Sequence, residues 1–233
     1  MKLSNETISV LKNFSTINQN LMVKTGKNIT TMSAMKNIVA KSEVKEDFPT
    51  DFAIYDLNEF LSALSLFDEP DLDFNDNFVV ITEEGNADRS KSLKYWFSDP
   101  SVVTTPTKEI TMPSTEITFS LSSDTLEEIT KGAAVMGLPD MALEDGKLMV
   151  TDKKNSTANA YKTSIDVGDV DATYKFWFRV ENLKLMPGSY DVEISSKKIT
   201  HFTNTKIGVQ YWIALEPEST YTEKKDEKAE ENA

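Results

Sequence analysis

Asp56-Leu57-Asn58-Glu59-Phe60-Leu61-Ser62-Ala63-Leu64-Ser65-Leu66-Phe67 decides how this chain is read. Asp56 can accept from the free amides of a first helical turn, and Glu59, three residues on, can reach back in a variant of the capping box. Leu57, Phe60, Leu61, Leu64 and Phe67 then fall on one face at helical spacing. Around this helix the sequence turns strand-like, with short runs at 52–55, 71–74, 78–82 and 93–97. The pattern recurs. Amphipathic helices are predicted to start near Ser4, Asp56, Ser123 and Val180, at intervals of 52, 67 and 57 residues. A period of that size points to one strand–helix–strands unit used four times, two units to a domain. The longest interval holds the proline-bearing stretch 99–113.

The other copies carry their own signals. Ser4 opens a helix to about Ile17 with Ile8, Leu11, Phe14 and Ile17 on its stripe and Lys12 and Asn13 off it. Thr25-Gly26-Lys27 separates runs 21–24 and 28–33 as a hairpin turn, and a further strand covers 37–44. After a strand at 116–121, Ser122 or Ser123 caps a helix carrying Leu126, Ile129, Ala133 and Met136. Gly137 stands where a left-handed terminus is wanted, with Pro139 just beyond. Glu144-Asp145-Gly146-Lys147 marks another hairpin, between 142–143 and 148–150. Strands at 158–165 and 173–180 lead to a fourth short helix, 181–186, stopped by Pro187-Gly188. Strands at 190–195, 198–202 and 207–215 complete the core. The expected organisation is α+β: an N-terminal domain 1–98, a connector 99–113, a C-terminal domain 114–216 and a disordered charged tail 217–233.

Composition narrows the function. The chain has 233 residues, a formal net charge of −13, 39% hydrophobic residues, twelve Phe, one His and no Cys. Such a length and apolar content support one large core or two modest ones. The acidity is even: 17 acidic and 11 basic residues in 1–110, 21 and 14 in 111–233. No basic domain advertises nucleic acid, although a closed ring can be acidic outside and locally basic along its bore. Without cysteine there are no disulfides, thiolate metal sites or cysteine nucleophiles, which suits a reducing compartment. No apolar run approaches the roughly 20 residues that span a bilayer, so no membrane partner is expected.

Catalytic chemistry is hard to assemble. His201 lies in a strand-like stretch with no nucleophile elbow near any serine, and reads as an ordinary strand histidine. No glycine-rich phosphate loop exists. The acidic run Asp68, Glu69, Asp71, Asp73, Asp76 has Asp76 where a calcium loop needs glycine and Thr82 where it needs a bidentate glutamate. No cofactor, metal or enzymatic activity is expected. Tyr174-Lys175-Phe176-Trp177-Phe178-Arg179 alternates an apolar face with Lys175, Trp177 and Arg179. That face could stack single-stranded bases, while core packing is the plainer reading. Lys12, Lys131 and Lys184 sit on three of the four predicted helices, away from the apolar stripes. They would matter if those faces converged on one phosphate backbone.

Longer stretches carry a resemblance. Met1-Lys2-Leu3-Ser4, Leu11-Lys12-Asn13-Phe14 with Ile17-Asn18, and Ala53-Ile54-Tyr55-Asp56-Leu57-Asn58 with Phe60-Leu61 and Leu64-Ser65-Leu66 resemble the sliding clamps of T-even-like bacteriophages. So do Asp99-Pro100-Ser101 with Val102-Val103 and Pro106, Lys184 with Met186-Pro187-Gly188 and Tyr190, and Ile213-Ala214-Leu215-Glu216 with Ser219-Thr220. The similarity runs in order from residue 1 to about 220, weakest over 140–175. It implies two similar DNA-clamp domains, each with antiparallel sheets outside and two helices inside, in a homotrimeric ring around double-stranded DNA. It further implies a processivity factor that tethers the replicative DNA polymerase, is loaded by an ATP-dependent clamp loader and serves late-transcription factors in the cytoplasm of an infected bacterial host. Lys12, Lys131 and Lys184 become the expected DNA-facing residues. Val102, Val103, Tyr211, Ile213 and Leu215 are the expected partner pocket, and Trp96 and Tyr161 the expected subunit interface. A single-stranded nucleic-acid binder and a structural virion protein are the alternatives.

Overall fold

Ser4 starts the first helix as its sequence suggests: its hydroxyl accepts from the Thr7 amide at 3.3 Å. The Glu46 carboxylate accepts from the Ser4 amide and the Thr7 hydroxyl. These contacts satisfy amide groups that a helix start leaves open. The computed structural model describes residues 1–83 and 90–224. In chain order the elements are α1 (Asn5–Ile17), β1 (Leu21–Val23), β2 (Gly26–Met32), β3 (Ile38–Phe48), β4 (Phe52–Ile54), α2 (Leu57–Leu64), β5 (Asp71–Phe74), β6 (Phe78–Glu83) and β7 (Lys91–Trp96). After a 3-10 turn at Pro100–Val102 come β8 (Ile117–Leu121), α3 (Ser123–Met136), β9 (Asp140–Glu144), β10 (Lys147–Thr151), β11 (Tyr161–Ser164) and β12 (Ala172–Arg179). A second 3-10 turn, Val180–Asn182, precedes β13 (Tyr190–Ser195), β14 (Ile199–Asn204), β15 (Val209–Ala214) and β16 (Thr220–Glu223).

The chain divides into two units. The first comprises Met1–Ile110, Lys184–Met186 and Asn204–Trp212; the second holds the remainder. In the first unit the strand order is β4-β1-β2-β3-β15, with a separate three-stranded sheet β5-β6-β7. α1 packs on α2 and β3, burying Thr7, Val10, Leu11, Phe14 and Ile17. The stripe thus follows 3–4 spacing through Val10, and Ile8, expected on it, lies half-buried at its margin. Asp56 caps α2 as predicted, accepting from Asn58 N at 3.0 Å and Glu59 N at 3.1 Å. Leu57, Phe60 and Leu64 turn inward. Aromatic rings join the two sheets: Phe52 stacks on Phe97 at 4.9 Å and meets Phe74 at 5.1 Å.

In the second unit β14-β13-β8 are neighbours and β11-β10-β9-β12-β16 form a five-stranded antiparallel sheet. Ser122 caps α3 through Thr125 N at 3.1 Å, and Gly137 ends it at φ +62°, as its position in the sequence predicts. Leu126, Ile129 and Ala133 are buried as α3 packs on β10 and β11. Gly132 is needed for that approach: a Cβ there would lie 3.1 Å from the Tyr161 ring. The predicted turn at Asp145-Gly146 has positive φ at both residues, the geometry of a two-residue hairpin.

Two expectations require correction. The described residues contain three α-helices, not four, and the second unit has one helix instead of two. The stretch 181–186 is not α-helical because its polar backbone groups are engaged elsewhere. The Lys184 carbonyl accepts from Asn13 Nδ2 at 2.9 Å, and Met186 N donates to the Tyr211 hydroxyl at 3.2 Å. Pro187 also disfavours helical dihedrals at Met186. The second correction concerns the tail expected from 217. Thr220–Glu223 is a strand, with Tyr174 opposite Tyr221 and the Tyr221 ring 6.3 Å from Phe176. The rest of that tail, 225–233, lies outside the described residues.

Candidate nucleic-acid interface and docking groove

Lys12 is exposed on α1, opposite the buried stripe, and Lys131 is exposed on α3. Lys184, half-buried, belongs to the first unit with Lys12 and is bound to the same helix. Its ammonium donates to the Thr16 carbonyl, in the last turn of α1. A cation there satisfies an open carbonyl and complements the negative end of the helix. Asn13, Lys184, Met186 and Tyr211 form one polar knot: besides the two bonds above, the buried Tyr211 hydroxyl donates to Asn13 Oδ1 at 2.8 Å. The exposed charges on the three helices are Glu6, Glu59, Asp124, Glu127 and Glu128 against Lys12 and Lys131. The helical faces are therefore polar and more acidic than basic. Glu6 is paired with Lys45 at 3.0 Å; its own backbone amide and then that lysine hold its carboxyl below the usual glutamate value.

The second feature is a groove of about 580 Å³ in the first unit. Met22, Val39 and Trp212 give it apolar surface, Lys24, Lys41 and Lys108 give it charge, and residues 105–110 form part of its lining. Of the residues expected to form a partner pocket, Tyr211, Ile213 and Leu215 are buried, Val103 is half-buried and Val102 is exposed; none of them lines the groove. The reason is strand parity. Alternate residues of β15 face opposite sides, so Gln210 and Trp212 reach the groove while Tyr211 turns into the core. In the sequence the parity of that face is marked by Gln210, the polar residue two before Trp212.

Trp96 and Tyr161 lie on edge strands, β7 and β11, in different units. Trp96 is 62% exposed, its ring 5.2 Å from Phe78, with Lys94 Nζ 3.9 Å above the Phe78 ring. Tyr161 is half-buried against α3.

The remaining sequence signals resolve into ordinary structure. His201 Nδ1 lies 2.9 Å from Glu193 Oε2, its cross-strand neighbour, and Nε2 lies 3.2 Å from Thr203 Oγ1. Asp71 and Asp73 stand on β5 in register with Thr82 and Val80 of β6, in a hairpin and not a cation loop. In β12, Tyr174, Phe176 and Phe178 are buried, and Lys175, Trp177 and Arg179 take the other face as predicted. There Lys175 is paired with Glu144 at 2.9 Å and Arg179 with buried Asp140 at 3.3 Å. A strip whose cations are already matched is poorly suited to gripping a phosphate backbone.

Comparison with known proteins agrees with the layered antiparallel architecture. Residues 3–96 match the family model described as DNA polymerase processivity factor, and residues 118–217 match that described as gp45 sliding clamp, C terminal. The chain is 34% identical over 226 residues to the sliding clamp of Vibrio phage KVP40, covering 93% of this chain and 99% of that one. It is 30% identical over 234 residues to the sliding clamp of Enterobacteria phage T4, covering 95% and 99%. Among solved structures, the proliferating cellular nuclear antigen of Entamoeba histolytica superposes with a TM-score of 0.67 at 15% identity, covering 92% of this chain and 97% of that one. At that identity the likeness concerns the fold. The matches in both halves, together with relatives at 30% identity or more along nearly the whole chain, place this protein in the sliding-clamp family of DNA polymerase processivity factors.

Proposed function

We propose that three copies of this chain close into a ring around duplex DNA and tether the replicative polymerase of a bacteriophage, in the cytoplasm of the infected bacterium. The chain catalyses nothing in this scheme. An ATP-dependent loader opens the ring, and late-transcription factors share its docking surface. The observation that carries the reading is the surface of the helices. α1 and α3, one in each family-matched half, bury an apolar stripe and expose a polar face with few cations. With five exposed carboxylates against two lysines on the helices, such a face holds phosphates only weakly, which suits retention by topology and not by affinity. Lys12, Lys131 and Lys184 are the proposed phosphate contacts. The edges of β7 and β11, which end their sheets among the described residues, are with Trp96 and Tyr161 the proposed joints between copies, since an unpaired edge accepts another strand. Partners dock in the groove beside Trp212.

The test is retention on DNA by topology. Loaded with its cognate loader on a nicked circle, the protein stays through gel filtration, and linearising the circle releases it. A solution mass of three times the 26.2 kDa chain accompanies this. Replacing Lys12, Lys131 and Lys184 together weakens loading and alters its salt response. Equal retention on linear and circular DNA, or tight binding of short oligonucleotides, overturns the proposal.

A further inference from the structure

We propose that Asn20, braced by Asn18, is a positioning residue for partner docking: from the turn that follows α1 it holds the connector that forms one wall of the groove. This rests on the groove being the docking site. Residues 105–110 line the recess, belong to no helix or strand, and make no backbone–backbone hydrogen bond among the described residues. Glu109, 86% exposed, meets Lys41 at 3.1 Å, and a pair so open to water holds little. Thr104, just before this stretch, is gripped from outside the connector. Its amide donates to Asn20 Oδ1 at 2.8 Å, and its carbonyl lies 3.5 Å from Asn18 Nδ2.

Amide side chains suit this task because each carries both donors and an acceptor. Asn18 is buried at the end of α1, where its backbone N–H reaches the Phe14 carbonyl at 3.0 Å. Its Nδ2 donates to the Met32 carbonyl at 2.7 Å and its Oδ1 accepts from the Asn20 amide at 3.1 Å, so the support is itself fixed to β2. Gln19, between the two, engages α2 instead. Its carbonyl accepts from Leu57 N at 2.8 Å, and its Nε2 donates to the capping carboxylate of Asp56 at 2.9 Å. Asn18-Gln19-Asn20 thus joins α1, α2 and the connector at one corner. The other wall is tied to the same helix, because Tyr211, between the groove residues Gln210 and Trp212, bonds Asn13. Both walls are therefore set by α1, and the recess is present with Thr104 pinned, which makes the pinned arrangement the one that admits a partner. Without the Asn20 acceptor a partner has to order the wall as it binds, and its apparent dissociation constant rises as the pinned fraction falls.

The experiment compares the full-length protein with Asn20→Ala, which removes the acceptor, and Asn20→Asp, which keeps an oxygen in its place. Because the chain has no cysteine, nitroxide labels on Lys27→Cys and Thr107→Cys report the distance from β2 to the connector wall. The expected distance distribution is narrow in the parent and in Asn20→Asp and broad in Asn20→Ala. Affinity for the cognate polymerase, measured by fluorescence anisotropy without the labels, falls about three- to tenfold on Asn20→Ala and is restored by Asn20→Asp. If thermal melting shows Asn20→Ala to be misfolded, Thr104→Pro replaces it: the donated N–H is lost while Asn20 stays, and Val103 already has the extended backbone that precedes a proline. Thr30→Trp, which fills the groove, is the control for docking itself. Polymerase binding that Thr30→Trp weakens but Asn20→Ala leaves unchanged, a distribution no broader in Asn20→Ala, or no rescue by Asn20→Asp overturns the positioning role and leaves docking in the groove intact. Binding untouched by Thr30→Trp removes the docking reading and this proposal with it.

Discussion

Replacing Tyr211 with Phe removes one oxygen from a fully buried ring and leaves the packing volume almost unchanged. That oxygen joins three segments of the first unit. It donates to Asn13 Oδ1 at 2.8 Å on α1 and accepts from Met186 N at 3.2 Å, and Asn13 in turn donates to the Lys184 carbonyl at 2.9 Å. A typical hydrogen bond contributes about 0.5–1.5 kcal/mol net, and a group left unsatisfied away from water costs more. Two bonds lost together predict a destabilisation of about 1–3 kcal/mol. For a chain of this size each kcal/mol lowers Tm by about 2–4 °C. Calorimetry at fixed protein concentration reads that shift, and urea titration shows whether the m-value is preserved. Asn13→Ala supplies the second arm. Because Asn13 and Tyr211 bond each other directly, the double variant should cost about 0.5–1.5 kcal/mol less than the two single variants added. Tyr211→Phe within about 0.3 kcal/mol of the parent, or strict additivity with Asn13→Ala, would refute the account of the knot.

Two other perturbations follow from local chemistry. Thr200 is fully buried and its hydroxyl has no hydrogen-bond partner among the described residues, so Thr200→Val, equal in shape, should raise stability by about 1 kcal/mol; a lower midpoint in urea would show that the hydroxyl is satisfied in solution. The hydrogen bonds from Lys24 and then Thr25 lower the Asp51 carboxyl from 3.8 to about 2, so its stabilisation is complete above about pH 4 and is lost as pH falls toward 2. Asp51→Asn should flatten the stability profile across that window and leave it parallel to the parent above pH 5, and an unchanged slope between pH 4 and 2 would count against the pairing.

What the sequence made legible was local chemistry. Ser4, Asp56 and Ser122 are caps whose side chains reach the next free amides, and Gly137 and Asp145-Gly146 occupy backbone geometry that few residues tolerate. None of these needs knowledge of distant residues. The misread elements are those decided at long range. Residues 181–186 have a helix-like composition, but their carbonyl and amide groups are taken by Asn13 and Tyr211, about 171 and 25 residues away along the chain. The run through β15 is apolar at both parities (Val209, Tyr211, Trp212, Ile213), so hydrophobicity alone could not say which residues face the groove. Thr220–Glu223 reads in sequence as the start of a charged tail because a four-residue edge strand shows only one ring, Tyr221, to mark its inner face.

The charge distribution constrains how such a protein can stay on DNA. Binding through phosphate neutralisation scales with the number of cations engaged, about 0.9 in the logarithmic salt slope for each. The helices of one chain expose two lysines against five carboxylates. Lys184, the third candidate, already holds the Thr16 carbonyl, so engaging a phosphate means leaving a helix terminus it stabilises. In the proposed trimer, then, the cations engaged at any instant are few and the nearby carboxylates oppose them. Electrostatic attraction of that size cannot account for persistence on DNA. In the ring proposed above, persistence comes from the closed path, and weak attraction is an advantage, because each phosphate contact strong enough to raise affinity would also slow translation along the duplex.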